Sequence, residues 1–137
     1  MLNKNIKLIN KEALPVGKAS LSIHESDQNF NILVFLDNKK IEFSSSDYFE
    51  ALKLFREYLY EEKSLFPNLK GALKSVYPSR MSRQMSGGEM AYRYVMGKQA
   101  DDTDLINIFD EIDEMDYSNL VSVPNQLSNY KKWLKSL

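Results

Sequence analysis

Eight carboxylates fall within the sixteen positions from Asp101 to Asp116 (Asp101, Asp102, Asp104, Asp110, Glu111, Asp113, Glu114 and Asp116), with no Lys or Arg among them. Carboxylates at that density suggest three kinds of chemistry. The Asp102–Asp104 spacing would open a calcium loop, but such a loop needs an oxygen ligand at its fifth position, Gly at its sixth and Glu at its twelfth. The chain has Ile106, Asn107 and Asp113 there. A glycosidase needs two carboxyl groups facing each other across the substrate, whereas Asp110 and Glu111, adjacent on a helix, project in different directions. The third use is electrostatic docking, in which an exposed carboxylate array accelerates encounter with a basic partner. Between Lys63 and Lys98 the sign reverses: Lys63, Lys70, Lys74, Arg80, Arg83, Arg93 and Lys98 face the single acid Glu89. A formal net charge of -1 therefore conceals two blocks of opposite sign.

Other constellations carry less. Met85-Ser86-Gly87-Gly88-Glu89 resembles the signature peptide of ABC-type ATPases, where glycines and a helix N-terminus approach a phosphate. No P-loop accompanies it, since Gly17-Lys18 and Gly97-Lys98 lack both the upstream glycine and the following hydroxyl. A plain turn followed by a helix cap accounts for the five residues. Arg80, Arg83 and Arg93 nevertheless make this neighbourhood a candidate anion-binding site. Interleaved with Tyr77, Tyr92 and Tyr94, they are also the residue types that grip phosphates and stack bases. A sequence pI of about 5.9 disfavours direct nucleic-acid binding. His24 is the only histidine and Cys is absent, so neither a zinc site nor a disulfide framework is expected. No nucleophile marks a triad around His24, and no catalytic residue, metal or cofactor is assigned.

The elements that must position these residues are α+β: a small N-terminal antiparallel sheet packed against several C-terminal helices, in one domain over 1–137. Ser20 to Ile23 alternates, Asn29 to Leu36 is rich in Phe, Ile and Val, and Asp37-Asn38-Lys39 turns the chain into the alternation of Lys40 to Phe43. Ile6 to Ile9 is a candidate fourth strand. Ser46 or Asp47, with Glu50, opens a helix whose buried stripe is Tyr48, Ala51, Leu52, Phe55 and Leu59. Leu69 to Val76 is expected as a short second helix between Pro67 and Pro78. Ser86 and Glu89 have the spacing to cap a helix over Met90, Ala91, Tyr94 and Val95, with a strand over Met90 to Met96 as the alternative. From Asp102 or Thr103 the spacing of Leu105, Ile108, Phe109 and Ile112 predicts a further helix with Asp104, Asp110, Glu111 and Glu114 on its outer face and Asp113 at the edge. A last helix starts beside Pro124, with Leu127, Tyr130, Trp133, Leu134 and Leu137 on its inner face and Lys131, Lys132 and Lys135 outside.

At 137 residues, with 43% hydrophobic and 27% charged content, the composition is that of an ordinary globular protein. The longest wholly apolar run, Ile32 to Leu36, is far shorter than the roughly 20 residues a spanning helix needs. The N-terminus lacks the apolar core of a signal peptide. A cytoplasmic location without membrane association is the expectation. Two stretches, Asp47-Tyr48-Phe49-Glu50-Ala51-Leu52-Lys53-Leu54-Phe55-Arg56 and Ala91 to Asp113, together with the Cys-free α+β layout, make the chain resemble small bacterial immunity proteins. These accompany polymorphic toxins, including those of contact-dependent growth inhibition. The resemblance implies a role, a non-catalytic inhibitor of a cognate toxin domain, a nuclease among the candidates; the carboxylate array suggests an acidic helix face as the contact, since nuclease clefts are basic. Asp110, Glu111, Asp113, Glu114 and Asp116 would meet the toxin, with Tyr117 as an aromatic anchor. The alternative is a nucleic-acid-associated or phage-type accessory protein that uses the Arg80–Arg93 region.

Overall fold

A computed structural model describes residues 2–137. Four strands, β1 (Leu2–Ile9), β2 (Pro15–Ser26), β3 (Asn29–Leu36) and β4 (Lys39–Ser45), run as an antiparallel meander. Two of the connections are two-residue turns, Asp27-Gln28 and Asp37-Asn38, with both residues of each at positive φ. That geometry matches the twist of the strands it joins, and Asp and Asn tolerate it better than most residues. The turn at Asp37-Asn38 is the one the sequence marks. A short strand, β5 (Phe66–Pro67), pairs with β1 and completes a sheet of order β4-β3-β2-β1-β5.

Alternation gives the sheet one apolar face. Ile6, Leu8, Leu21, Ile23, Ile32 and Val34 are buried, while Lys7, Lys18, Ser20 and Phe35 point outward. Helix α1 (Tyr48–Lys63) covers the apolar face with the expected stripe, to which Phe49 and Arg56 are added. Asp47 is its N-cap and accepts from the Glu50 amide at 2.8 Å. Ser64, left-handed at φ 54°, ends it by donating to the Leu59 and Tyr60 carbonyls.

The remainder departs from the expected run of helices. Leu69 to Val76 is no second α-helix: Lys70–Ala72 is a single 3-10 turn, followed by β6 (Val76–Tyr77). Its amides bond across the fold, Lys70 to the Asp110 carbonyl and Gly71 to that of Ile108. Helix α2 (Arg80–Ser86), unmarked by apolar periodicity, is closed by a reciprocal pair of bonds between Ser79 and Ser82. Ser86 therefore ends a helix instead of capping the next. Met90–Arg93 is a strand, β7, the alternative reading of that segment.

The expected acidic helix does not form. Asp102–Asp104 is a 3-10 turn, Leu105–Asn107 is a strand, β8, and Glu114–Asn119 is a further 3-10 segment. Strands β6, β7 and β8 make a three-stranded sheet in that order. Ile108, Phe109 and Ile112 are buried as their spacing requires, yet the backbone between them is held by distant partners. Ile112 donates to the Asn68 carbonyl, and Lys4 donates to that of Phe109 at 2.7 Å. The Asp and Asn side chains favour turns over helix here: Asn107 accepts from the Phe109 amide and Asp101 from that of Thr103.

Helix α3 (Val123–Lys135) begins as expected, with Ser122 as N-cap and Pro124 in its first turn. Its buried side chains are Gln126 and Trp133, whereas Leu127, Leu134 and Leu137 are exposed. Among the described residues no helix is long and apolar enough to cross a membrane.

Candidate protein-docking surface

Without a helix beneath them, the acidic residues reach the surface from an irregular but anchored segment. Asp110, Glu111, Asp113 and Glu114 are exposed, and among the described residues none of the four takes part in a salt bridge. Their backbone is pinned from behind, since the Asp110 carbonyl accepts from Lys70 and Glu111 forms a bridge with Leu69. Four carboxylates held on an anchored backbone, none in a salt bridge among the described residues, present a concentrated negative field to solvent.

Two of the residues grouped with them differ. Asp116 accepts from both Arg93 terminal nitrogens, at 2.9 and 3.2 Å, and from Asn119 at 3.1 Å. The Arg93 hydrogen bond is the main reason its carboxyl lies below the usual range. Asp116 is thus already paired within the fold, and a partner would have to compete with Arg93 for it. Tyr117 is only 5% exposed and belongs to the core, which rules it out as an anchor. Its position in the 3-10 segment turns the ring inward. The neighbouring Met115 is 90% exposed instead, an apolar side chain standing between Glu114 and Asp116. Methionine is flexible and polarisable and suits adaptable contact surfaces; its place beside the carboxylates was the only sequence signal for it.

The three arginines do not assemble into an anion site. Arg83 donates to Asp47 at 2.8 Å and to Glu50 at 3.1 Å, and lies over the Phe49 ring. These pairs outweigh its partial burial and raise its pKa. Arg93 is bound to Asp116, leaving Arg80 alone exposed. The start of α2 is closed by the Ser79–Ser82 pair. Gly87 and Gly88 have a structural role. Both have positive φ, and a Cβ on Gly88 would stand 2.8 Å from Asp47 Cγ, while one on Gly87 would meet the Phe30 ring at 2.6 Å. The Gly87 carbonyl accepts from the Tyr48 amide, so the glycine pair seals the start of α1 and cradles no phosphate there.

His24 is half-buried on β2 beside Asn31, distant in sequence and pairing from the acidic segment. Among the described residues no three His, Asp or Glu side chains converge as metal ligands would. A buried polar centre that the sequence did not signal lies in the core. Arg56 on α1 donates to Gln126 Oε1 at 2.6 Å and to the Val121 and Gly71 carbonyls at 2.9 and 3.3 Å. Burial drives its guanidinium down to about 9. It joins α1, the Lys70–Ala72 turn and α3, and its place is structural. A scan of protein-family models and a search of curated proteins found no match to this chain.

Proposed function

We propose that this chain is a non-catalytic immunity protein that binds a cognate toxin domain through the carboxylates of residues 110–114, with Met115 as the apolar contact beside them. One observation carries the reading: Asp110, Glu111, Asp113 and Glu114 are exposed and free of salt bridges among the described residues, on a backbone bonded to the core. Charges left unpaired on a rigid support suit recognition of a basic cleft, such as that of a nuclease. They meet a partner without prior loss of an internal ion pair and with little reordering. The rival use of the Arg80–Arg93 region is weakened by the internal pairs of Arg83 and Arg93.

The test is protection of cells expressing a candidate cognate toxin domain, sought among the products of neighbouring genes, with Asp110→Lys/Glu111→Lys as the variant. Exposed substitutions of this kind change stability by less than about 0.5 kcal/mol each, so the variant should fold normally by circular dichroism. Protection should be lost, and the association rate with the purified toxin domain should drop steeply as salt shortens the reach of the field to about 8 Å. Full protection by the folded variant would refute the assignment of this face. An association rate indifferent to salt would refute electrostatic docking.

A further inference from the structure

The five-stranded sheet has one closed edge and one open edge. At β5 the edge is taken up by the chain that follows: Asn68 exchanges hydrogen bonds with Lys7, and Leu69 forms a bridge with Glu111. Strand β4, at the other edge, has a neighbouring strand on one side only. Across the tight turn at Asp37-Asn38, Leu36 and Lys39 are the pair that exchanges both backbone bonds, and bonded pairs alternate from there. Lys39, Ile41, Phe43 and Ser45 therefore bond to β3, whereas Lys40, Glu42 and Ser44 turn their amides and carbonyls to the open side. Among the described residues no turn or loop bonds to these groups. The register with β3 runs unbroken along β4 and the strand contains no proline, so neither of these common blocks to edge pairing is present.

An apolar strip lies beside this edge. Ile41 and Phe43 are half-buried on the face that α1 covers, and Phe43 packs against Phe55 and Tyr58 at 5.6 and 5.8 Å between ring centroids. Leu54, one helical turn before Tyr58 on the same flank of α1, is 43% exposed. A strand added to β4 would satisfy the free backbone groups and cover the strip. The charges of β4 select that strand. Lys40 and Glu42 are exposed and take part in no salt bridge among the described residues. Antiparallel pairing with a second copy about a two-fold axis must oppose residues that both face the open side, which leaves few registers. A register centred on Lys40 sets lysine against lysine, and one centred on Glu42 sets glutamate against glutamate, both unfavourable. Centred on Phe43, Glu42 meets only Ser44. The register centred on Ile41 sets Lys40 against Glu42 of the partner subunit, and the symmetry repeats that pair.

We propose that two copies of this chain pair edge to edge through β4, antiparallel and in the register centred on Ile41, so that their sheets join into one. Residues 110–114 are bonded beside β5, at the other edge, and remain outside the contact. The experiment is sedimentation velocity of the full chain from micromolar to millimolar concentration, where the mass should rise toward twice 15.9 kDa. Glu42→Pro should hold the protein monomeric with an unchanged circular dichroism spectrum, because the amide it removes faces the open side and not β3. Lys40→Glu alone and Glu42→Lys alone should each weaken pairing by about tenfold, since symmetry sets like charges opposite each other at two places. The double variant, Lys40→Glu with Glu42→Lys, should recover most of that loss. The chain has no Cys, so Ile41→Cys under mild oxidation should give a disulfide-linked dimer. A monomer at every concentration overturns the proposal and leaves the edge to a strand of a different protein. A dimer that Glu42→Pro does not weaken overturns it as well, and a double variant no better than the singles refutes the register on which the pairing rests.

Discussion

The face that α3 presents to the core can be tested by truncating two adjacent side chains, Gln126→Ala and Leu127→Ala. Hydrophobic patterning expects Leu127 inside; the structure places Gln126 there, fully buried, and leaves Leu127 37% exposed. Gln126 Nε2 donates to the Gly71 and Leu73 carbonyls at 2.9 and 3.0 Å, and its Oε1 accepts from Arg56 at 2.6 Å. A hydrogen bond to a charged group contributes about 1.5–3 kcal/mol, and a neutral one about 1 kcal/mol. Loss of all three should cost about 3–5 kcal/mol, because Arg56 has no carboxylate partner among the described residues to take over. With a urea slope near 2 kcal/mol/M, that is a midpoint lowered by about 2 M. Leu127→Ala should cost under about 1 kcal/mol, against the 2–5 kcal/mol of a buried leucine. Equilibrium urea unfolding by circular dichroism measures both, and an unchanged slope licenses the comparison. If Leu127→Ala proves the costlier change, α3 is rotated by one residue and the account of Arg56 is wrong.

Three further outcomes follow from particular contacts. Gly88→Ala should destabilise by about 2 kcal/mol or more, since it combines a φ of +80° with a Cβ 2.8 Å from Asp47 Cγ, while Gly97→Ala, at +76° but with nothing within 4 Å, should cost only about 1 kcal/mol; thermal melts that rank them equally would remove the steric part of the argument. Burial raises the Tyr130 phenol, whose stabilising contribution is therefore complete below the unfolded value of 10.0 and is lost as pH rises through the folded one. Tyr130→Phe should accordingly show a smaller drop in urea midpoint between pH 8 and pH 11 than the parent protein, and an identical drop would deny the phenol its role. Arg93→Ala should cost under about 1 kcal/mol, because the Arg93–Asp116 pair is partly exposed, and the cost should shrink in high salt; a loss that salt leaves unchanged would indicate packing and not charge.

Strong local patterns were sufficient for much of the fold. Period-2 alternation marked β2 and β4, the Phe, Ile and Val content of Asn29 to Leu36 marked β3, the Asp37-Asn38 pair marked a turn, and Asp47 with the Tyr48–Leu59 stripe marked α1, because each of these preferences is satisfied by residues adjacent in sequence. Pro124 marked the start of α3 for the same reason. The candidate site was legible only as composition: the carboxylates are exposed as a charged block should be, but their backbone, the burial of Tyr117 and the projection of Met115 depend on contacts that spacing does not encode. Leu105, Ile108, Phe109 and Ile112 recur as on a helix, yet Leu105 stays half-buried on a strand and the other three are buried by turns whose amides and carbonyls bond to Asn68, Lys70 and Lys4. The partners of the arginines were likewise decided in three dimensions: Arg83 joined the start of α1, and Arg93 joined Asp116. So was the polar centre of Arg56 and Gln126, two residues that any hydropathy pattern assigns to the surface. Short-range steric and capping preferences act within a few residues and are readable along the chain; buried polar groups must find partners across the whole molecule, so their pairing emerges only on folding.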